Sequence, residues 1–210
     1  MFANLVTYHV HRCPPLLPND ALAYQYILAG NGLFIRAETQ LFAALLPVVH
    51  CPVRGLERLR WQFRLKVPRI PTRLLHTILT DARRPVGGQP DNGLNEALYQ
   101  FHHHGQTVQV KKPPQQATPV SVVLAGNPSI DDARILCDLH SHGNMRAFFS
   151  QTDDADEQGA KLYAVIGKLD TRPEIRLRVG LYGTWQSLPL TAVFTHSGPF
   201  RDLYFKENHT

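Results

Sequence analysis

Two histidines separated by one residue, His140 and His142, can hold one metal ion together if their segment is a strand. Alternate strand residues share a face, so the two imidazoles converge on a point about 2.0 to 2.1 Å from each ring nitrogen. After seven intervening residues come Ser150 and, three positions on, Asp153. Asp153 can close a set of three ligands. Three protein ligands leave the fourth tetrahedral position to water, the arrangement of a catalytic rather than a structural zinc site. The chemistry expected of it is hydrolysis by metal-activated water.

The elements that must position these side chains are legible around them. Arg134 to His142 reads as a short strand, with Ile135, Cys137 and Leu139 on one face and Leu136, Asp138, His140 and His142 on the other. Gly143 and Asn144 break it, and Phe148 and Phe149 are expected to anchor the following loop, Met145 to Phe149, against the core. Ser150 then opens a helix as N-cap, with Asp153, Asp154, Asp156 and Glu157 favoured by the helix dipole. Capping and metal binding are compatible, since residues three apart on a helix share a face. Asp154 and Asp156 stand as alternative third ligands. Asp138 is either an acceptor for an imidazole N–H or an ordinary strand carboxylate.

The pattern His-Ser-His-x7-Ser-x2-Asp resembles the motif of the JAMM (MPN+ or JAB) metallopeptidases, which cleave isopeptide or peptide bonds next to ubiquitin-like proteins. The resemblance spans roughly residues 68 to 195. It implies a zinc cofactor, His140, His142 and Asp153 as metal ligands, and Ser150 as the group that steadies the oxyanion. It also implies a general-base glutamate on the first strand after a long helix. Glu96, in Asn95-Glu-Ala-Leu-Tyr-Gln-Phe101, fits that context, whereas Glu38 and Glu57 precede the helix. Many members carry proline after the second histidine where Gly143 stands here, which implies a freer loop leaving the metal. A narrower resemblance, carried by Tyr26-Ile-Leu-Ala-Gly-Asn-Gly-Leu-Phe-Ile-Arg36, is to the PRTRC system A proteins, prokaryotic members encoded with ParB-related and ThiF-related proteins. It implies a ubiquitin-like protein or its conjugates as partner and a ThiF-related, E1-like protein nearby.

The helix before Glu96 is expected from Thr72 as N-cap through Leu74, Leu75, Ile78, Leu79 and Ala82, ending at Arg83-Arg84-Pro85. His102, His103 and His104 form a tract of a kind that binds metals, but successive strand residues point to opposite faces, so the tract is read as a strand end before a Gly105-Gln106 turn. Beyond it come a proline-rich loop (Lys111 to Pro119), a strand at Val120 to Leu124, a buried strand at Leu162 to Leu169, and a half-exposed one alternating Ile175, Leu177, Val179 and Leu181 with Arg176, Arg178 and Gly180. The first 67 residues read as a β-rich extension: a hairpin with an Asn-Gly turn at 30–32, an apolar run from Leu41 to Val49, and Leu59 to Val67 alternating with a basic face. The expected fold is α+β, an MPN/JAB-type curved mixed sheet flanked by helices at 68–210 with the extension at 1–67.

Composition suits this reading. A chain of 210 residues with 43% hydrophobic content can bury a generous core, and no membrane span or signal peptide is expected. Cys13, Cys51 and Cys137 are odd in number and widely spaced, which fits a reducing cytoplasm rather than a disulfide framework. The net charge of +5 is spread along the chain and gives nucleic acid little support as a partner. Two rivals to the hydrolase stay open: a metal-free MPN-type interaction scaffold, and a DNA-associated factor that needs salt-dependent binding to support it.

Overall fold

The computed structural model describes residues 4–88, 93–125 and 133–204. Along the chain run β1 (Val6–Val10), β2 (Tyr24–Ala29), β3 (Gly32–Glu38), β4 (Phe42–His50), β5 (Gln62–Leu65), α1 (Arg73–Ala82), β6 (Leu98–His104), β7 (Thr107–Lys111), β8 (Gln115–Thr118), β9 (Ser121–Leu124), β10 (Ile135–Ser141), α2 (Gln151–Asp156), β11 (Ala160–Gly167), β12 (Glu174–Leu181), β13 (Thr184–Leu188) and β14 (Arg201–Asp202). The class is mixed α+β, mostly sheet, as expected. The described residues fall into two compact units: Met1–Val67 with Glu157–Ala160 and Gly180–Gln186, and Pro68–Asp156 with Lys161–Val179 and Ser187–Thr210.

The first unit holds a five-stranded sheet in the order β1-β2-β3-β4-β5. Ile27, Ala29, Phe34 and Leu45 form a buried cluster, with Leu16 and Leu59 packed on it. The expected hairpin is present, but Ala29 pairs with Gly32, so Gly30 and Asn31 rather than Asn31 and Gly32 make the turn. Contacts distant in sequence hold the turn there: a Cβ on Gly30 would lie 2.2 Å from the Leu56 carbonyl oxygen, and the Asn31 amide is held at both ends by the Leu59 backbone at 2.8 and 2.9 Å. Residues 61–67 keep the expected alternation of half-buried apolar and exposed polar side chains, although β5 itself is four residues long.

The second unit is built on the strands β12-β11-β10-β6-β7, with β14 beside β12. β10 pairs antiparallel with β6 and parallel with β11, and α2 lies on the crossover that a parallel pair requires. Being flanked on both sides, β10 buries Ile135, Leu136, Cys137, Leu139 and Ser141. Helix α1 buries Leu75, Ile78, Leu79 and Ala82 at helical spacing, and the Tyr99 hydroxyl of β6 donates to its Asp81 at 2.8 Å. Thr72 caps the helix by position but not by side chain: its hydroxyl is spent on Thr195 and His196 at 2.8 Å each.

Three sequence expectations need correction here. The stretch from Lys111 to Pro119 is not all loop, since β8 lies within it and pairs with β9. β12 is not half-exposed: of its eight residues all but Arg176 are buried. Arg178 stays in that strand because Asp154 supplies a counter-ion at 2.7 Å. Of the two expected anchors Phe149 does pack against the buried cluster of Ala147, Val165 and Leu203, whereas Phe148 is 44% exposed. The His102 to His104 tract lies at the end of β6, as read from the sequence, before a turn in which Gly105 takes a φ of 61°.

Candidate metal centre

His140 sits one residue from the end of β10 and His142 one residue past it, so both rings lie at the same end of the strand. Their side chains are 12% and 5% exposed. The His142 Nδ1 lies 3.3 Å from the Arg146 carbonyl oxygen. A carbonyl only accepts, so Nδ1 carries the hydrogen and Nε2 presents a lone pair. That Nε2 is 3.0 Å from the His140 Nε2, which is itself 3.4 Å from Asp153 Oδ1. Burial lowers the basicity of both rings, more than the Asp153 charge raises it, so they hold to the neutral form that binds metals.

Asp153 is delivered by a reciprocal cap. Its backbone N–H donates to Ser150 Oγ at 3.2 Å, while its Oδ2 accepts from the Ser150 N–H at 2.6 Å and from the Ser150 hydroxyl at 2.8 Å. Such a cap box holds the first turn of a helix. One carboxylate oxygen is thus committed to the cap and the other faces His140. The capping and ligand positions expected of Ser150 and Asp153 coincide in one arrangement.

His140, His142 and Asp153 form a group whose ligand atoms all lie within 4.8 Å of one another. Ligands about 2.0 to 2.1 Å from a tetrahedral zinc are about 3.3 to 3.4 Å apart, close to the 3.0 and 3.4 Å seen here. A ring lone pair, a second ring nitrogen and a carboxylate oxygen converging out of water repel unless a proton or cation sits among them. The donor set therefore fits a zinc ion. Of the alternative ligands, Asp154 turns away to Arg178. Asp138 serves neither as ligand nor as imidazole acceptor: it receives Lys161 at 3.0 Å and Gln100 at 3.2 Å.

Glu96 lies two residues before β6, not within it. Register brings it to the site all the same. Leu98 pairs with His140, the Ala97 N–H donates to Ser141 Oγ at 3.0 Å, and the Ser141 N–H donates to the Ala97 carbonyl at 2.9 Å. The next couple along this ladder is Glu96 and His142, with Oε1 3.9 Å from Nε2. The Glu96 N–H donates to the Thr118 carbonyl at 2.8 Å, so the β8–β9 hairpin fixes its backbone. Burial first, and the Asp153 charge second, push its carboxyl up to about 7.

All five residues singled out in the sequence thus meet at one end of β10. The sequence reading missed Ser141, whose hydroxyl extends the ladder, and Arg178, whose guanidinium stacks 3.7 Å above the centre of the Phe149 ring. Gly143 takes a φ of 53°, and the loop after it is not free: Met145 N–H donates to the His142 carbonyl, Lys168 N–H to that of Met145, and Leu169 N–H to that of Gly143.

A family model for prokaryotic homologs of the JAB domain, Prok-JAB, matches residues 82–179. That stretch runs from the end of α1 into β12 and contains Glu96, both histidines, Ser150 and Asp153. No curated protein matches the chain.

Proposed function

We propose that this chain is a zinc-dependent hydrolase of the JAMM/MPN+ type, most like PRTRC system protein A, that cleaves an isopeptide or peptide bond next to a ubiquitin-like protein. The observation that carries the reading is a buried glutamate 3.9 Å from one of two histidines whose facing nitrogens converge with a third, carboxylate donor. A zinc ion held by His140, His142 and Asp153 supplies Lewis acidity and makes water a nucleophile near neutral pH. Glu96 takes the proton of the attacking water and returns it to the departing amine. A carboxylate beside the metal-bound water can serve both halves of that transfer. Ser150 turns its hydroxyl from Asp153 to the oxyanion, and Asp153 Oδ2 keeps the Ser150 backbone N–H, so its orientation survives the exchange. A ThiF-related protein is the expected companion, and free thiols at Cys13, Cys51 and Cys137 suit a reducing cytoplasm.

The test is elemental analysis of protein purified without added metal, followed by incubation with fusions and conjugates of ubiquitin-like proteins. Near-stoichiometric zinc, and cleavage that chelation stops and zinc restores, are expected. Failure to take up zinc on titration leaves a metal-free MPN-type scaffold as the reading. Bound zinc with every such substrate left intact overturns the substrate assignment.

A further inference from the structure

Helix α2 has six residues, and none of them is buried. A helix that short is not stable by itself in water, and a packed apolar face ordinarily supplies what is lacking. Here that face is missing, yet the helix carries Asp153. Its local cap, from Ser150, fixes the first turn internally but ties it to nothing else. A tertiary hold comes from β12. Arg178 is 7% exposed, and its Nη1 lies 2.7 Å from Oδ1 of Asp154, the neighbour of Asp153. Its guanidinium also stacks on Phe149, immediately before the cap, and the Phe149 ring meets His140 edge-on, with centroids 6.5 Å apart. One buried cation thus grips the helix on both sides of the capping serine.

We propose that Arg178 is a positioning residue of the metal centre: through Asp154 and Phe149 it sets where the Asp153 carboxylate stands relative to the two histidines. The proposal rests on the reading that the site binds a divalent metal. Two effects of Arg178 on that metal oppose each other. A nearby positive charge repels a cation, so removing it tightens binding if charge dominates. Removing it also frees the helix, which weakens binding if positioning dominates. Groups that orient metal ligands are worth about 10- to 100-fold in affinity, and a stacked, paired guanidinium is already largely offset by its own carboxylate, so positioning prevails.

The experiment measures cobalt and zinc affinity by competition with a chromophoric chelator, together with the visible spectrum of the cobalt form, below the unfolding temperature of each protein. Arg178→Met is expected to weaken binding about tenfold or more and to change the cobalt spectrum. Arg178→Lys, which keeps the charge but not the planar stack, is expected to fall between. Because Arg178→Met can disturb a buried strand, Asp154→Asn gives a second route: its side chain is 43% exposed, and the same direction of change is expected. The double variant should lose little beyond the larger single loss, because losing Arg178 already removes the contact that Asp154 makes. Wild-type affinity with an unchanged spectrum in either single variant, tighter binding in Arg178→Met, or additive losses in the double variant overturns the proposal. Failure of the wild-type chain to bind either metal overturns instead the hydrolase reading beneath it.

Discussion

Glu96 and His142 face each other two steps beyond the last pair of β6 with β10, the carboxylate oxygen 3.9 Å from the ring nitrogen. The couple is set by strand register rather than by loop geometry, so Glu96 can be altered without disturbing the ligands. Glu96→Gln keeps the shape and removes the proposed base. Zinc content should be unchanged while hydrolysis falls about 100- to 10,000-fold, the usual worth of a positioned acid–base group. Metal analysis and turnover on the same preparation check this, and full activity would remove Glu96 from the mechanism.

The same residue gives the metal-free protein a pH signature. Its carboxyl stands at about 7 in the folded chain against 4.5 for an ordinary glutamate. The folded state therefore binds more protons than the unfolded one between these values. Its contribution is intact below about pH 4.5 and is lost as pH rises through 7. Glutamine does not titrate, and burial holds both histidines of the site toward the neutral form in either protein. With chelator present, wild type should lose about 2 kcal/mol relative to Glu96→Gln between pH 5 and pH 8. Urea unfolding at the two pH values measures it, and a difference that stays flat contradicts the buried carboxyl.

Ser141 makes a separate prediction. Its hydroxyl, in a residue with no exposed surface, accepts the Ala97 N–H that the ladder would otherwise leave unpaired. Ser141→Ala strands that donor, at a cost of about 1 to 3 kcal/mol. The ligands do not depend on it, so zinc affinity should stay within a few-fold while catalysis falls through the displaced Glu96 backbone. Weakened metal binding with undiminished stability would refute this division of labour.

What could be read from the residues was what local physics dictates. The spacing of His140 and His142 on one strand, the Ser150-to-Asp153 cap and the periodicity of Leu75, Ile78, Leu79 and Ala82 each specify geometry within a few residues. Features set at long range could not be read this way. β1 pairs in parallel with β2 across the irregular, proline-bearing stretch 11–23, and the polar β8 pairs with β9, which folds back on it. Arg178 looked like a solvent-facing member of an alternating strand, because nothing within β12 announces that Asp154 and Phe149 will cover it. Glu96 was legible through a family resemblance alone: no local pattern marks a residue that lies opposite His142 only after two strands have paired.

Gly143 is where the chain departs from the resembled pattern, and its backbone explains the departure. With φ at 53° it occupies the left-handed region, which proline, fixed near −65°, cannot enter. An added Cβ would meet Leu94 Cβ at 3.4 Å, an ordinary contact, so alanine suffers conformational strain alone, about 1 to 2 kcal/mol. Gly143→Ala should therefore lower the unfolding free energy by about that much and leave zinc affinity nearly unchanged. Gly143→Pro must instead rebuild the turn, breaking the bonds from Met145 N–H to His142 and from Leu169 N–H to Gly143. It also displaces the Arg146 carbonyl that orients the His142 ring. Zinc affinity should then fall at least tenfold, in the range for groups that orient metal ligands. Chelator competition on both variants decides the matter: equal affinities would show that the left-handed turn is irrelevant to the histidine it follows.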